Sequence, residues 1–187
     1  QNTTIQLDGS GTASIIVADI NNGSNDACGI ANLSLSQTTF DCSNVGANTV
    51  TLTVEDNNGN TATCTGTVTV QDLFAPTALC ATVSVSLDGT GSASVTAAMV
   101  DAGSSDICGI ASMSVSPNTF DCSNTGVNNV TLTVIDVNGN SATCNTTVTV
   151  TDDQDPVLTC PANITQPAVT DNCGRIINYS VSGTDNC

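Results

Sequence analysis

The chain has 187 residues, and its 17 acidic residues outnumber the single basic residue, Arg175, to give a formal net charge of −16. Such a polyanion lacks the basic surface that binds nucleic-acid phosphates or anionic membranes, so neither is expected as a partner, whereas cations are attracted. The chain has no His, and this excludes a Ser-His-Asp nucleophile and removes the commonest transition-metal ligand.

The ten cysteines predict a secreted protein, because disulfides form and persist in oxidising compartments. No two of them are spaced as C-x-x-C, which argues against a zinc knuckle or a thioredoxin-type redox site. No apolar run reaches about 18 residues, so no segment is expected to insert into a membrane. With three Phe, one Tyr and no Trp, an aromatic-lined cleft for glycoside hydrolysis is not expected either. We therefore expect no enzyme.

Residues 1–71 have the pattern of a β-rich module. Alternating apolar residues predict short strands, and clusters of Asp and Gly predict the turns between them. The predicted elements, in chain order, are a strand with Ile5 and Leu7, a turn at 8–11, a strand with Ala13, Ile15 and Val17, a polar loop from Asp19 to Gly29, a strand over 30–36, and the segment Phe40-Asp41-Cys42.

The stretch from Asn48 to Cys64 follows, and it recurs as Asn129 to Cys144, with an offset of 80 residues between the two cysteines. In the second copy Val130, Leu132 and Val134 alternate with Thr, which predicts a half-buried strand. Asn138-Gly139 then predicts a tight type I′ turn with φ > 0 at both residues. Each copy is thus predicted to form a β-hairpin whose return strand carries a cysteine.

The same offset relates the remaining elements of the two copies, so three modules are predicted, over 1–71, 72–151 and 152–187. The acidic, proline-containing linkers 71–76 and 151–156 separate them. The two phenylalanines at this offset, Phe40 and Phe120, are expected in the module cores, as are Met99 and Met113.

The third module departs from the pattern. It carries an additional cysteine, Cys173, in a predicted turn at 171–174, and it lacks the β-hairpin. Its segment Thr184-Asp185-Asn186-Cys187 matches Ser105-Asp106-Ile107-Cys108 of the second module. Without a partner sheet, this half-module is expected to be poorly ordered or to lean on a neighbour.

The stretch DACGIANLSLSQTTFDCSNVGANTVTLTVEDNNGNTATC and its copy from Asp106 to Cys144 resemble the Ig-like, hyalin-repeat (HYR)-related modules found in tandem in long secreted surface adhesins of Bacteroidota. Gliding-motility adhesins exported by the type 9 secretion system are examples. DPVLTCP at 155–161, followed by TDNC at 184–187, is similar to the start of a hyalin repeat proper. The resemblance implies an all-β fold of tandem Ig-like β-sandwich modules, stapled by disulfides and joined end to end as a rod.

The function implied by this resemblance is structural. The repeats would be the spacer or stalk of a secreted, cell-surface-attached adhesin, with neighbouring modules of the same long chain as partners. Two alternatives stay open. One is an adhesive module that itself binds a surface or glycan target, for which Tyr179 is the one aromatic platform offered. The other is a subunit of an extracellular fibre, in which another copy completes the third module by strand addition.

The Ig-like topology also implies the disulfides. The first and last strands of such a sandwich begin at the same end, which brings Cys80 near Cys144, and Cys108 and Cys122 flank a hairpin centred near Val115. We therefore predict the pairs Cys80–Cys144, Cys108–Cys122 and Cys28–Cys42, each stabilising by about 2–4 kcal/mol. Cys64 is left over. By the repeat offset its partner is the residue before Gln1, which we expect to be a cysteine of a longer chain.

The same topology gathers oxygen-bearing side chains where a linker meets a module. Oxygen ligands without basic counter-charges suit calcium, so we predict calcium sites, with calcium stiffening the junctions. The candidate ligands are Asp19, Asn21, Asp26, Asp56 and Asn58 in the first module, Asp72, Asp101, Asp106, Asp136 and Asn138 in the second, and Asp152, Asp153 and Asp155 for the next junction.

A plainer interpretation of these residues stays open, because Asp and Asn are the residues that turns use in any case. The D-x-N-G-N turn also lacks the spacing and the bidentate Glu of an EF-hand. Asp19 aligns with Met99, so it is either an additional ligand or a residue at a strand end.

Overall fold

The computed structural model of the chain describes residues 1–165 and 176–187. Within those residues the regular structure is β-sheet apart from two one-turn helices and two 3₁₀ turns, so the all-β prediction is confirmed. No helix of the described ranges is long or apolar enough to cross a membrane. The predicted turn at 171–174 and Arg175 lie outside the described residues.

The first repeat folds as a β-sandwich of a four-stranded and a two-stranded sheet. In the larger sheet, with the order β1-β6-β5-β3, β1 runs parallel to β6 and the other pairs are antiparallel. The smaller sheet pairs β2 with β4. The elements are β1 (Thr3–Gln6), β2 (Thr12–Ser14), α1 (Val17–Ile20), β3 (Ile30–Leu35), β4 (Thr39–Asp41), a 3₁₀ turn (Cys42–Asn44), β5 (Gly46–Asp56) and β6 (Thr61–Gln71).

The core of this sandwich lies between its two sheets. Alternate residues of β5 and β6 point inward, as the period of two predicts, and each fully buried aliphatic side chain stabilises by about 1.5–3 kcal/mol relative to an exposed one. The buried residues are Leu7, Ile15, Ile20, Phe40, Val50, Leu52, Val68 and Val70. Phe40 and Phe120 are buried as predicted, whereas the prediction for Met99 and Met113 was wrong, because these side chains are 44% and 37% exposed.

The second predicted strand is shorter than the sequence pattern indicated. β2 ends at Ser14, and Val17 begins the one-turn helix α1 instead of continuing the strand. The Asp19 carboxylate accepts a hydrogen bond from the Ile16 N–H at 2.7 Å, which caps the first turn. The helix turns Ile20 into the core, where it is 1% exposed.

The second repeat has the same strand order. Its larger sheet is β7-β12-β11-β9, with β7 parallel to β12, and its smaller sheet pairs β8 with β10. The elements are β7 (Val83–Ser86), β8 (Ser92–Ser94), α2 (Ala97–Val100), β9 (Ile110–Ser116), β10 (Thr119–Asp121), a 3₁₀ turn (Cys122–Asn124), β11 (Gly126–Asp136) and β12 (Ser141–Thr151).

The third segment contributes one pair of short antiparallel strands, β13 (Val157–Thr159) and β14 (Ser182–Thr184). All six residues of this pair are exposed. The end of the segment is tied to the second repeat by the disulfide Cys122–Cys187, so the expectation that it leans on a neighbour agrees with the structure.

The chain divides into two compact units that do not coincide with the sequence repeats. One comprises Gln1–Leu79, Ala102–Ser114 and Thr133–Cys144, and the other comprises Cys80–Asp101, Val115–Leu132 and Asn145–Cys187. Strands β9, β11 and β12 each contribute to both units. The module boundaries at 71 and 151 therefore stay a prediction.

Candidate metal centre

The turn between β11 and β12 is built around the carboxylate of Asp136. Its Oδ1 accepts hydrogen bonds from the backbone N–H groups of Asn138 (2.9 Å) and Asn140 (2.8 Å), and its Oδ2 accepts one from the Asn140 side chain (2.8 Å). Among the described residues only glycines have positive φ, including Gly139 at 92°. The predicted type I′ turn was therefore wrong, because Asn138 is not left-handed.

The observed geometry is a right-handed turn followed by a left-handed glycine, a common three-residue hairpin loop. The Gly139 N–H donates to the Asp136 carbonyl at 3.3 Å, and the Asp136 N–H donates to the Asn140 carbonyl at 3.0 Å. This turn form is favoured because it directs two backbone N–H groups toward one oxygen of the Asp136 carboxylate. In the first repeat Asp56 caps its turn in the same way, through the N–H groups of Asn58 and Asn60.

The loop before β9 is capped by Asp106. Its Oδ1 accepts hydrogen bonds from the N–H groups of Cys108 (2.8 Å) and Gly109 (3.0 Å). The Gly109 carbonyl accepts in turn from the Val137 N–H at 3.1 Å. These bonds place the loop directly beside the turn that Asp136 organises.

Asp72, the first residue after β6, completes the arrangement. Its Oδ1 accepts a hydrogen bond from the Phe74 N–H (3.1 Å), and its Oδ2 accepts one from the Asn138 side-chain amide (2.7 Å). Its backbone carbonyl accepts from the Asn140 amide at 3.2 Å. The linker residue is thus held against the turn by both of the turn's asparagines.

Three carboxylates meet at this point, and we call Asp72, Asp106 and Asp136 the three-aspartate cluster. One oxygen from each lies within 4.8 Å of the others. Asp72 is 4% exposed and Asp136 is 1% exposed. No basic side chain occurs in the described residues, and two like charges at this separation repel by about 3 kcal/mol at an effective dielectric of 20.

The pKa of Asp136 reflects two opposing effects. Burial raises the pKa, but hydrogen bonds from the Asn140 side chain and from the N–H groups of Asn138, Gly139 and Asn140 lower it by more, so it lies below its ordinary value. Asp136 therefore remains a carboxylate at neutral pH. A buried anion beside two further acidic side chains makes a site that suits a hard cation, since calcium takes carboxylate and carbonyl oxygens.

The sequence-predicted ligands of the first repeat serve their own loops. Asp19 caps α1, the Asn21 side-chain oxygen accepts from the Ser24 N–H at 2.9 Å, and the Asp26 carboxylate accepts from the Cys28 N–H at 2.7 Å. Within 1–165 and 176–187, only the three-aspartate cluster brings three acidic, His or Cys side chains to metal-ligand spacing.

The remaining candidates lie elsewhere. Asp101 ends α2, where its backbone forms a β-bridge with Cys80. The Asp152 carboxylate accepts from the Gln154 N–H and from the Asn186 side chain, at 3.2 and 3.1 Å, and that of Asp153 accepts from the Ser86 and Thr151 hydroxyls. Asp155 is exposed.

Two of the three predicted disulfides were wrong. Cys42 is bonded to Cys108 and Cys122 to Cys187, with Cα–Cα distances of 5.2 and 5.4 Å. Cys28 is an exposed free cysteine, as are Cys64 and Cys160. Cys80 and Cys144 are both disulfide-bonded, and their pairing with each other stays a prediction. Cys173 lies outside the described residues.

The pair Cys28–Cys42 fails because β3 and β4 do not form a hairpin. β3 pairs with β5, whereas β4 lies in the other sheet beside β2. The Cys28 carbonyl accepts from the Asn57 side chain at 2.8 Å, next to the β5–β6 turn. The Cys42 sulfur lies 4.0 Å from the Gly11 carbonyl, at the other end of β6.

β6 has 11 residues, which span about 36 Å. A disulfide needs Cα atoms within about 7 Å of each other, so Cys28 and Cys42 cannot reach one another. The sequence pattern could not show this, because apolar alternation does not reveal that β4 changes sheets. The 80-residue offset shows that Cys42 and Cys122 are equivalent, and Cys108 and Cys187 both end an Asp-x-Cys segment, but Cys28 and Cys173 end such a segment too, so the sequence does not select the partners.

Comparison with known proteins finds a family match for the first repeat. Residues 2–70 match the family model described as the HYR domain, and no curated protein matches the chain. The match and the disulfides indicate an extracellular structural module of the adhesion type.

Similar solved structures include two protocadherins and a bacterial protein. The protocadherin gammaB7 EC3-6 cis-dimer is 16% identical, with a TM-score of 0.35, over 100% of this chain and 55% of that one. Protocadherin gamma C5 EC1-3 is 14% identical, with a TM-score of 0.42, over 100% and 77%. The Clostridium thermocellum CbhA fibronectin(III)-like modules are 12% identical, with a TM-score of 0.30, over 81% and 90%. At these scores the fold assignment rests on the strand topology of the chain itself.

Proposed function

We propose that the chain is a spacer segment of a secreted, cell-surface-attached adhesin, of the kind found in Bacteroidota and exported by the type 9 secretion system, and that it is not an enzyme. The observation that carries the proposal is the disulfide Cys42–Cys108, which joins one sequence repeat covalently to the next. The Cys122–Cys187 disulfide makes the corresponding connection onward. A spacer needs such connections, because a flexible linker alone would let successive modules fold back on one another.

Calcium is the second element of the proposal, with the three-aspartate cluster as its site. Asp72 comes from the linker, and Asp106 and Asp136 come from the second repeat, so a cation bound to all three would fix the linker. Rotation of the Asn138 amide by half a turn would present its oxygen in place of the nitrogen that now donates to Asp72. Backbone carbonyls and water would supply the remaining ligands that calcium needs.

The calcium part is tested by thermal unfolding of the full chain in excess EDTA and in about 10 mM calcium. For a Kd of about 10⁻⁴–10⁻³ M, typical of extracellular modules, calcium at that concentration stabilises the folded state by about 1.4–2.7 kcal/mol. We expect Asp106→Asn to lose the rise in Tm.

The matched control is Asp26→Asn, which removes the same charge from the equivalent loop of the first repeat, where no three-carboxylate group forms within the described residues. Its rise in Tm should equal that of the parent. Equal Tm values for the parent protein in EDTA and in calcium would remove calcium from the proposal.

The spacer part is tested by small-angle X-ray scattering. A compact protein of 187 residues has a radius of gyration of about 16 Å. Two modules end to end, each as long as an 11-residue strand, would extend about 70 Å and give a radius of gyration of at least about 20 Å. A value near 16 Å, or saturable binding on a glycan array, would contradict a spacer and favour a ligand-binding module.

A further inference from the structure

The disulfides Cys42–Cys108 and Cys122–Cys187 occupy equivalent positions in successive repeats. Cys42 and Cys122 each open a 3₁₀ turn after the second strand of the smaller sheet. Their partners, Cys108 and Cys187, lie 66 and 65 residues further along the chain. Each partner is the last residue of an Asp-x-Cys loop, Asp106-Ile107-Cys108 or Asp185-Asn186-Cys187.

Within 1–165 and 176–187 a third loop of this kind is Asp26-Ala27-Cys28, whose cysteine is exposed and free. It already has the local geometry of the bonded loop. The Asp26 Oδ1 accepts from the Cys28 N–H at 2.7 Å, and the Asp106 Oδ1 accepts from the Cys108 N–H at 2.8 Å. The loop is therefore formed before any partner is bound, which lowers the entropic cost of docking one.

The surfaces contacted by the bonded loops are also alike. Each loop meets a glycine turn beside the bonded cysteine. A Cβ on Gly11 would lie 3.0 Å from an Ile107 side-chain carbon, and a Cβ on Gly91 would lie 2.6 Å from the Asn186 carbonyl oxygen. The docking partner is thus a glycine turn and a 3₁₀-turn cysteine side by side. In the first repeat the middle loop residue is Ala27, which is smaller than Ile107 or Asn186 and fits the same surface.

We propose that Cys28 is a covalent docking site for the glycine turn and 3₁₀-turn cysteine of another HYR-like module placed N-terminal to it. Two thiols lose two protons and two electrons as the S–S bond forms. A low-molecular-weight disulfide such as oxidised glutathione accepts the electrons and becomes two thiols. The proposal requires neither calcium nor the spacer role.

The test extends the full chain at its N-terminus. In one protein a copy of residues 1–80 precedes Gln1, and in a second a copy of residues 81–160 does. Both place a 3₁₀-turn cysteine, the copied Cys42 or the copied Cys122, 66 residues before Cys28, which is the separation seen in Cys42–Cys108. After oxidation with glutathione, free thiols are alkylated, and peptides are mapped by mass spectrometry without reduction.

The expected result is a peptide that links Cys28 to the copied Cys42 in the first protein and to the copied Cys122 in the second, in more than half of the molecules. Cys28→Ser should lose this peptide and leave the copied cysteine alkylated, while Cys42–Cys108 still forms. Alkylated Cys28 in both extended proteins would overturn the proposal, and so would a bond from Cys28 to any other cysteine. Because two different modules are added at the N-terminus, the test still gives a result if one of them misfolds.

Discussion

At the scale of single residues, aspartates define the turns of this protein. Among the residues that the structure describes, six aspartates have a pKa below its ordinary value, and at five of them the first cause is a hydrogen bond from a nearby side chain. At Asp136 burial is the largest effect and acts in the opposite direction. These six aspartates form three pairs related by the 80-residue offset, Asp8 with Asp88, Asp41 with Asp121, and Asp56 with Asp136, so the turn chemistry repeats with the chain.

The turn at Asp8 predicts a specific response to acid. Hydrogen bonds from the Ser10 hydroxyl and from the N–H groups of Thr12 and Ser10 lower the pKa of Asp8 from 3.8 to about 2. Because the folded-state pKa lies below the unfolded value, the contribution to stability is present above pH 3.8 and is lost as the pH falls toward 2. Ser10→Ala should raise the pKa of Asp8 toward 3.8, as measured by carboxyl ¹³C NMR titration.

The equivalent turn supplies the control for this titration. The Thr90 hydroxyl is the first cause of the lowered pKa of Asp88, so Thr90→Ala should shift the pKa of Asp88 and leave that of Asp8 near 2. An Asp8 pKa that stays near 2 in Ser10→Ala would show that the backbone N–H groups alone hold the carboxylate.

At the scale of elements, the β1–β2 and β7–β8 turns each contain a glycine, Gly11 or Gly91, against which an Asp-x-Cys loop packs closely. Gly91 has φ +72°, and a Cβ there would approach the Asn186 carbonyl oxygen to 2.6 Å and the Cys122 sulfur to 2.8 Å. Neither contact is possible for a real Cβ without movement of backbone or disulfide atoms. The left-handed conformation and the close approach therefore act together at this position.

Comparison of Gly91→Ala with Gly103→Ala separates the cost of the left-handed backbone from the cost of the close contacts. Gly103 also has positive φ, +95°, but open space surrounds its Cβ position. Gly103→Ala should cost about 1–2 kcal/mol from backbone strain alone, and Gly91→Ala should cost about 1–3 kcal/mol more because of overpacking. Equilibrium urea unfolding measures both. Equal losses of unfolding free energy in the two variants would mean that the segment with Asn186 moves away from Gly91 without cost.

At the scale of the whole molecule, the disulfides make the connection between repeats independent of the linker. Cys42 and Cys108 lie on either side of residues 72–79 in the sequence, and their bond has a sequence separation of 66 residues. The free cysteines of the first repeat, Cys28 and Cys64, form no such bond. Cys42–Cys108 should therefore be the one covalent connection that remains after the linker is cut.

Site-specific cleavage of the linker tests this connection. With a recognition sequence for a site-specific protease inserted between Ala75 and Pro76, the cleaved protein should run as one species without reductant and as two species with reductant on denaturing gels. Cys42→Ser, cleaved in the same way, should give two species under both conditions. Two species from the oxidised parent would show that the repeats are not joined covalently.

The sequence by itself determined the all-β repeats, and it predicted Asp72, Asp106 and Asp136 to be neighbours within a larger set of candidate ligands. Alternating apolar residues on β5 and β11 require one buried face, and the 80-residue offset implies that the second repeat has the same fold as the first. The sequence placed Asp72, Asp106 and Asp136 at the same end of a module because linker, loop and hairpin turn must meet there. These inferences rest on local periodicity and chain connectivity, which a sequence contains.

Only the tertiary structure decided the disulfide partners and the turn geometry. The predicted bonds Cys28–Cys42 and Cys108–Cys122 assumed that β3–β4 and β9–β10 are hairpins. In fact β4 and β10 pair with β2 and β8, and that choice depends on contacts between residues distant in sequence. The turn after Asp136 takes its form from the direction of the Asp136 carboxylate, which accepts from the N–H groups of Asn138 and Asn140, and the Asn-Gly pair in the sequence does not show that direction. Pairing partners and side-chain directions are properties of the folded chain, so no local pattern could specify them.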